Sequence, residues 1–160
     1  MKNEILSLLE QDSRITAEKI AIMLGVEKEK VEALIKTLED ENIILGYKTV
    51  VNWEMTNREV TVAHIELKLT PQRGGGFDTI AERIYRFPQV KSVTLMSGSY
   101  DLLVTVEGKS FKEVAMFVSE KLAPMDNVVS TRTHFELKTY KKDGILFTEK
   151  EVDNREVISI

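Results

Sequence analysis

The chain has 160 residues, 42% of them hydrophobic and 30% charged, the balance of a soluble globular protein. It has no cysteine, which excludes disulfides, thiolate metal sites and cysteine nucleophiles and suits a reducing cytoplasm, where the protein is expected. The net charge is −4, whereas many nucleic-acid binders are basic, so any hold on DNA has to come from local placement of charge. No apolar run approaches the roughly 20 residues that span a bilayer. The opening MKNEILSLLEQD lacks the basic-then-apolar order of a secretory signal, so no signal peptide is expected, and no membrane partner is expected either.

Residues 1–50 show helical spacing. Ile5, Leu8 and Leu9 recur at i, i+3, i+4, as do Ile20, Met23 and Leu24. Val31, Leu34, Ile35 and Leu38 extend the pattern to i+7. Helices are predicted near 2–11, 17–24 and 28–41, with Thr16 as N-cap of the second and Gly25 ending it in a tight turn. Two helices about a glycine turn form a helix-turn-helix pattern. The β-rich run Ile43–Val51 then reads as a wing or linking strand. The same spacing also suits a plain three-helix unit with no DNA role.

From residue 60 the period changes to two. Thr61, Ala63, Ile65, Leu67 and Leu69 alternate with Val62, His64, Glu66 and Lys68, a strand. A loop through Gly74–Gly76 follows, then a helix over 78–87 stopped by Pro88 and a strand over Val90–Met96. Ser97–Ser99 is a turn, Tyr100–Val106 a strand broken by Gly108, 111–122 a helix ended by Pro124, and Val128–Tyr140 the last strand. The fold class is α+β: a winged helix-turn-helix (1–51), a linker (52–59), a ferredoxin-like βαββαβ domain (60–141) and a tail (142–160) with possible strands at 145–147 and 157–160. Domains of roughly 50 to 90 residues bury little core on their own, so self-association is expected. The strand 100–106 reads as apolar on both sides, which implies a partner on the uncovered sheet face.

Three stretches then carry a resemblance: LEDENIILGYKTVVN after the helix-turn-helix, VTLMSGSYDLLVTVEG and VVSTRTHFELKTYK. Together they resemble the Lrp/AsnC (feast/famine) regulators over about residues 1–142, most specifically at Gly98-Ser99-Tyr100-Asp101-Leu102-Leu103. The resemblance implies a DNA-binding domain joined to a RAM-type effector domain that dimerises and often assembles into octamers. It also implies an amino-acid effector bound between protomers near the Gly-x-x-Asp turn, here Ser97, Gly98, Ser99, Tyr100 and Asp101, with Thr133 on the last strand. Two departures stand out. The family's third helix usually carries Arg where this chain has Leu34, and its start often has Ser or Pro where this chain has Glu27, Lys28, Glu29 and Lys30.

In a helix-turn-helix the start of the third helix faces the major groove. Lys28, Glu29, Lys30, Ala33 and Lys36 are therefore the candidate DNA contacts, joined by Lys48 in the wing. Lysine can bind guanine edges or phosphates, and glutamate can accept from cytosine. Residues 1–50 carry seven basic and ten acidic side chains, so these charges equally suit i,i+4 pairs on a solvated helix, such as Glu32 with Lys36. At the turn, Asp101 could hold a ligand ammonium while free N–H groups take its carboxylate, or it could simply bond its own backbone. The glycine run fits no phosphate-binding pattern. His64 and His134 fall on neighbouring strands without a clear third metal ligand. No cofactor and no catalytic constellation are expected. The remaining alternatives are a ligand-binding or interaction module with little DNA affinity, and an enzyme on the same scaffold.

Overall fold

Period-3.6 burial organises the first 40 residues into three helices: α1 (Lys2–Gln11), α2 (Ala17–Leu24) and α3 (Lys28–Asp40). A computed structural model of the chain describes residues 1–70 and 76–147. The glycine-run positions Gly74 and Gly75 and the tail strand expected at 157–160 lie outside the described residues. The chain divides into two compact units after Val51. The first unit buries Ile5, Leu9, Ile20, Ala21 and Val31 together, with Leu34, Ile35 and Ile44 packed against them. The Thr16 hydroxyl caps α2 by accepting the Lys19 N–H at 3.2 Å. Gly25, at φ 66°, ends α2 in the left-handed region, and the Val26 N–H closes back on the Ala21 carbonyl at 3.0 Å.

Ile43–Val51 departs from the expected wing strand. Asn42, at φ 55°, ends α3, and the Ile43 and Ile44 N–H groups both donate to the Leu38 carbonyl. The chain beyond is irregular and belongs to no ladder among the described residues. β-branched residues favour a strand only when a second strand receives their N–H and C=O groups, and none is supplied here. The Tyr47 hydroxyl anchors the segment instead, donating to Glu39 at 2.8 Å. Burial, and then this bond, raise the Tyr47 pKa.

In the second unit, Trp53–Met55 forms a 3₁₀ turn and the Arg58 guanidinium lies 4.3 Å over the Trp53 ring, so the expected linker is structured. The following elements are β1 (Thr61–Leu69), α4 (Asp78–Tyr85), β2 (Val90–Leu95), β3 (Leu102–Gly108), α5 (Phe111–Phe117) and β4 (Val128–Phe135). The four strands form one antiparallel sheet in the order β2-β3-β1-β4, the ferredoxin-like arrangement. Ala63, Ile65, Leu67, Leu69, Leu102, Val104 and Val106 are buried against Ile80 and Ile84 of α4 and Val114 and Phe117 of α5. A short hairpin follows, β5 (Lys141–Lys142) and β6 (Ile145–Leu146), turning at Asp143-Gly144 with both residues at positive φ. Among the described residues no helix is long and apolar enough to cross a membrane.

Four sequence expectations change. The strand expected from Tyr100 begins at Leu102 and runs through Gly108 instead of stopping before it. Gly108 is there for closeness: a Cβ at that position would meet Val114 Cγ2 at 2.9 Å. The helix expected over 111–122 is α-helical only to Phe117. A wider π turn over Val118–Leu122 then keeps Val118 and Leu122 buried, with Ala123 N–H donating to the Val118 carbonyl at 2.8 Å. The last strand ends at Phe135, where Glu136 N–H makes a final bond to Val62 and the chain leaves the sheet. The second face of β3 is Leu103, Thr105 and Glu107, opposite Glu66, His64 and Val62 of β1. It is a mixed, half-polar face, so burial of a second apolar face cannot be the argument for a partner.

Replacing Gly108 by Ala should destabilise the second unit by about 1–3 kcal/mol, the usual cost of overpacking, because the contact is with a buried, stiff valine. Urea unfolding of wild type and G108A measures this; equal midpoints would show that α5 lifts off the strand freely.

Candidate DNA-binding and effector sites

The packing of α3 decides which side chains are left for other work. Val31 and Leu38 are buried and Leu34 and Ile35 half-buried, so they face the core of the first unit. Lys28, Glu29, Lys30, Glu32, Ala33, Lys36 and Thr37 are exposed. The structure thus brings five of the six predicted DNA contacts onto one helix surface. Lys48 is exposed too, but it lines a groove of about 460 Å³ with Leu6, Glu10 and Ser13, on the α1 side of the unit.

The charges on α3 are partly neutralised locally. Lys28 Nζ lies 3.1 Å from Glu32, so Glu32 pairs one turn back toward Lys28 instead of forward to Lys36. The Glu32 hydrogen bond, and then its charge, raise the Lys28 pKa. Lys30 and Lys36 form no ion pair among the described residues. The Thr37 hydroxyl donates to the Ala33 carbonyl at 2.9 Å. Sequence reading passed over Thr37, although its i+4 spacing from Ala33 was the available signal.

The second site is the turn between β2 and β3. The Met96 N–H donates to the Asp101 carbonyl at 2.8 Å, and the Asp101 N–H to Leu67 at 2.9 Å. The Asp101 carboxylate reaches across to β1, where it accepts the Leu69 N–H at 2.8 Å and lies 3.3 Å from Lys68 Nζ. The backbone bond first, then Lys68, hold its pKa below the ordinary carboxylate value. This carboxylate is therefore already engaged within the chain. Ser97, Gly98 and Ser99 are exposed, and Tyr100 is half-buried. Gly98 has no positive φ and open space where a Cβ would stand, so nothing inside the described chain requires glycine there. The structure does not bring Thr133 to this turn: it pairs with Ile65 on the outer strand β4, four residues before Leu69.

One constellation was only half seen in the sequence. His64 and His134 stand directly opposite each other in the register of β1 and β4. Each begins a His-x-Glu triplet, His64-Ile65-Glu66 and His134-Phe135-Glu136. Antiparallel pairing crosses them: Glu136 accepts from His64 Nε2 at 2.6 Å, and Glu66 from His134 Nε2 at 3.1 Å. The Thr105 hydroxyl lies 3.2 Å from His64 Nδ1, and Arg132 stands 3.8 Å from Glu66. Among the described residues no three or more His, Cys, Asp or Glu side chains are grouped to hold a metal.

Comparison with known proteins agrees with this two-part architecture. The profile for the Lrp/AsnC ligand binding domain matches residues 62–146, and that for a winged helix-turn-helix DNA-binding domain matches residues 2–44. The chain is 48% identical over 159 residues to the HTH-type transcriptional regulator YugG of Bacillus subtilis, covering 99% of this chain and 96% of that one. The chain belongs to the Lrp/AsnC family of transcriptional regulators. Its fold is also that of Escherichia coli AsnC (TM-score 0.68, 18% identity, 88% and 93% of the two chains). It matches the Neisseria meningitidis regulator NMB0573, solved as an L-Met complex, at TM-score 0.71 and 21% identity over 88% and 90% of the chains. Family membership makes the protein a DNA-binding regulator with a ligand-binding domain, and not an enzyme.

Because Asp101 is held as a carboxylate in the folded state, its stabilising contribution is present above the ordinary value of 3.8 and is lost as pH falls through its lowered folded value. Asp101→Asn should therefore lower the melting temperature near neutrality, with the gap to wild type closing below about pH 4. A gap independent of pH would assign the loss to shape, not charge.

Proposed function

We propose that this regulator binds double-stranded DNA through α3 and changes that binding when an amino acid occupies the Ser97–Asp101 turn between two copies of the chain. Lys28, Glu29, Lys30, Ala33 and Lys36 face the major groove, and Lys48 reaches the flanking backbone. The observation that carries the DNA assignment is that these side chains on α3 are all exposed while the opposite face of the helix builds the core. Lys30 and Lys36 supply most of the phosphate attraction, since Lys28 is shared with Glu32. The protein works in the cytoplasm, where its DNA is.

The effector reading rests on chemistry at the turn. Among the described residues the N–H groups of Ser97, Gly98, Ser99 and Tyr100 donate to no protein acceptor. Such a run of free amides suits a carboxylate. Asp101 fixes the turn to β1 and contributes a negative edge toward the ligand ammonium, shared with Lys68. The open space at Gly98 leaves room for close approach. The relative solved with L-Met makes an amino acid the class to test first. A homodimer through residues 60–140, with octamers built from it, gives the ligand two subunits to touch, and so a preference for one arrangement over another.

The test is a thermal-shift screen of the common amino acids on the full chain, followed by DNA titration with and without any that shifts it. A hit that alters DNA affinity supports the reading. No hit, or a hit without effect on DNA, removes the effector role. Sedimentation at micromolar concentration should give a dimer or larger species; a monodisperse monomer rules out the shared site. K30A/K36A should weaken DNA binding and flatten the plot of log affinity against log salt by roughly 0.9 for each phosphate no longer neutralised. An unchanged slope would move the phosphate contacts off α3 and toward Lys48.

A further inference from the structure

The exposed surface of α3 is charged at its flanks but has a methyl group at its centre. On a helix the neighbours of Ala33 are the residues three and four away: Glu29 and Lys30 before it, Lys36 and Thr37 after it. All five are exposed. The Thr37 hydroxyl gives its one proton to the Ala33 carbonyl at 2.9 Å, so what Thr37 has left for an outside contact is its methyl and an oxygen that can only accept. Ala33 is also short, so it lets the helix approach the groove floor where a longer side chain would hold it off.

Neither side chain has a proton to give, so the pair leaves the acceptors of guanine and of adenine N7 unmatched, and covering them without a partner is unfavourable. Cytosine offers only an amino donor, which the Thr37 oxygen could accept but the two methyl groups cannot. Thymine alone presents a methyl. We propose that α3 reads a thymine in each half-site through the methyl groups of Ala33 and Thr37, with Lys30 and Lys36 holding the phosphates on either side. This rests on α3 being the recognition helix, as proposed above.

The test uses the full chain and a duplex recovered by in vitro selection from a random-sequence pool. Each thymine of that duplex is replaced in turn by deoxyuridine, which deletes the 5-methyl and leaves every hydrogen-bonding group in place. One thymine per half-site should lose about four-fold in affinity, the worth of one methyl taken out of water, while the other thymines stay near neutral. That penalty should shrink in Thr37→Ser, persist in Thr37→Val, and shrink in Ala33→Gly if the variant keeps its helix signal. Sequence-specific, salt-dependent binding that is indifferent to every deoxyuridine overturns the thymine assignment and leaves the DNA role standing. The full penalty surviving in both T37S and A33G also overturns it. Failure to select any sequence overturns this proposal together with the DNA reading of α3.

Discussion

The second unit depends on the strict alternation of one strand. β1 lies between β3 and β4 and bonds to both, and its Ala63, Ile65, Leu67 and Leu69 are almost wholly buried under the helices. A slip of one residue would drive Glu66 and Lys68 into that core, so the register admits no alternative. The same alternation fixes what lies elsewhere. The end of β1 supplies the Leu69 N–H that holds Asp101, which places the 97–101 turn. The other side of β1 carries Val62, His64, Glu66 and Lys68 to the uncovered face.

That uncovered face is mixed, and its histidines and glutamates are satisfied within the chain. The two His-x-Glu triplets run antiparallel and in register, so each histidine finds the other strand's glutamate on the diagonal. Burying a polar group is costly chiefly when it is left without a partner. Here His64, Thr105 and Glu136, and likewise His134, Glu66 and Arg132, already meet within one chain. A second copy covering this sheet would not have to supply those partners. Association by this face would then rest on shape and matched charge more than on apolar area, a different basis from the one that the alternating apolar residues of 100–106 suggest.

Much of this was legible in the sequence because it follows from period and punctuation. The spacing of Ile5, Ile20 and Val31, the cap at Thr16 and the stop at Gly25 are local signals, and the helices formed where they pointed. What failed to show depended on distant partners. Ile43–Val51 has strand composition but no strand beside it. Gly108 looked like a breaker because the side chain it accommodates, Val114, belongs to the next helix. Leu103 and Thr105 alternate like a second apolar face, yet the residues opposite them are Glu66 and His64 on β1 and Thr94 and Ser92 on β2. At the candidate sites, exposure on α3 could be read from the helical period. The Lys28–Glu32 pairing and the hold of Leu69 and Lys68 on Asp101 could not, since each required choosing among several partners of similar sequence distance or knowing the strand register.

The charge balance of the first unit constrains how such a regulator can work. With ten acidic and seven basic side chains in residues 1–50, and Lys28 already paired, long-range attraction to DNA is weak, and few cations remain to displace counterions. A single unit then has little non-specific affinity, and a larger share of its binding falls on short-range contacts that depend on base identity. Useful affinity comes from joining two or more such units, because linkage converts the second binding event into an intramolecular one. Each unit's own affinity being low, the whole is sensitive to how many units are joined and how they are spaced. On the function proposed above, an effector at the turn would need no contact with DNA. By favouring one arrangement of copies over another it would change the effective concentration of α3 helices at the operator, and a coupling of 1–3 kcal/mol of this kind would correspond to roughly 5- to 150-fold in DNA affinity.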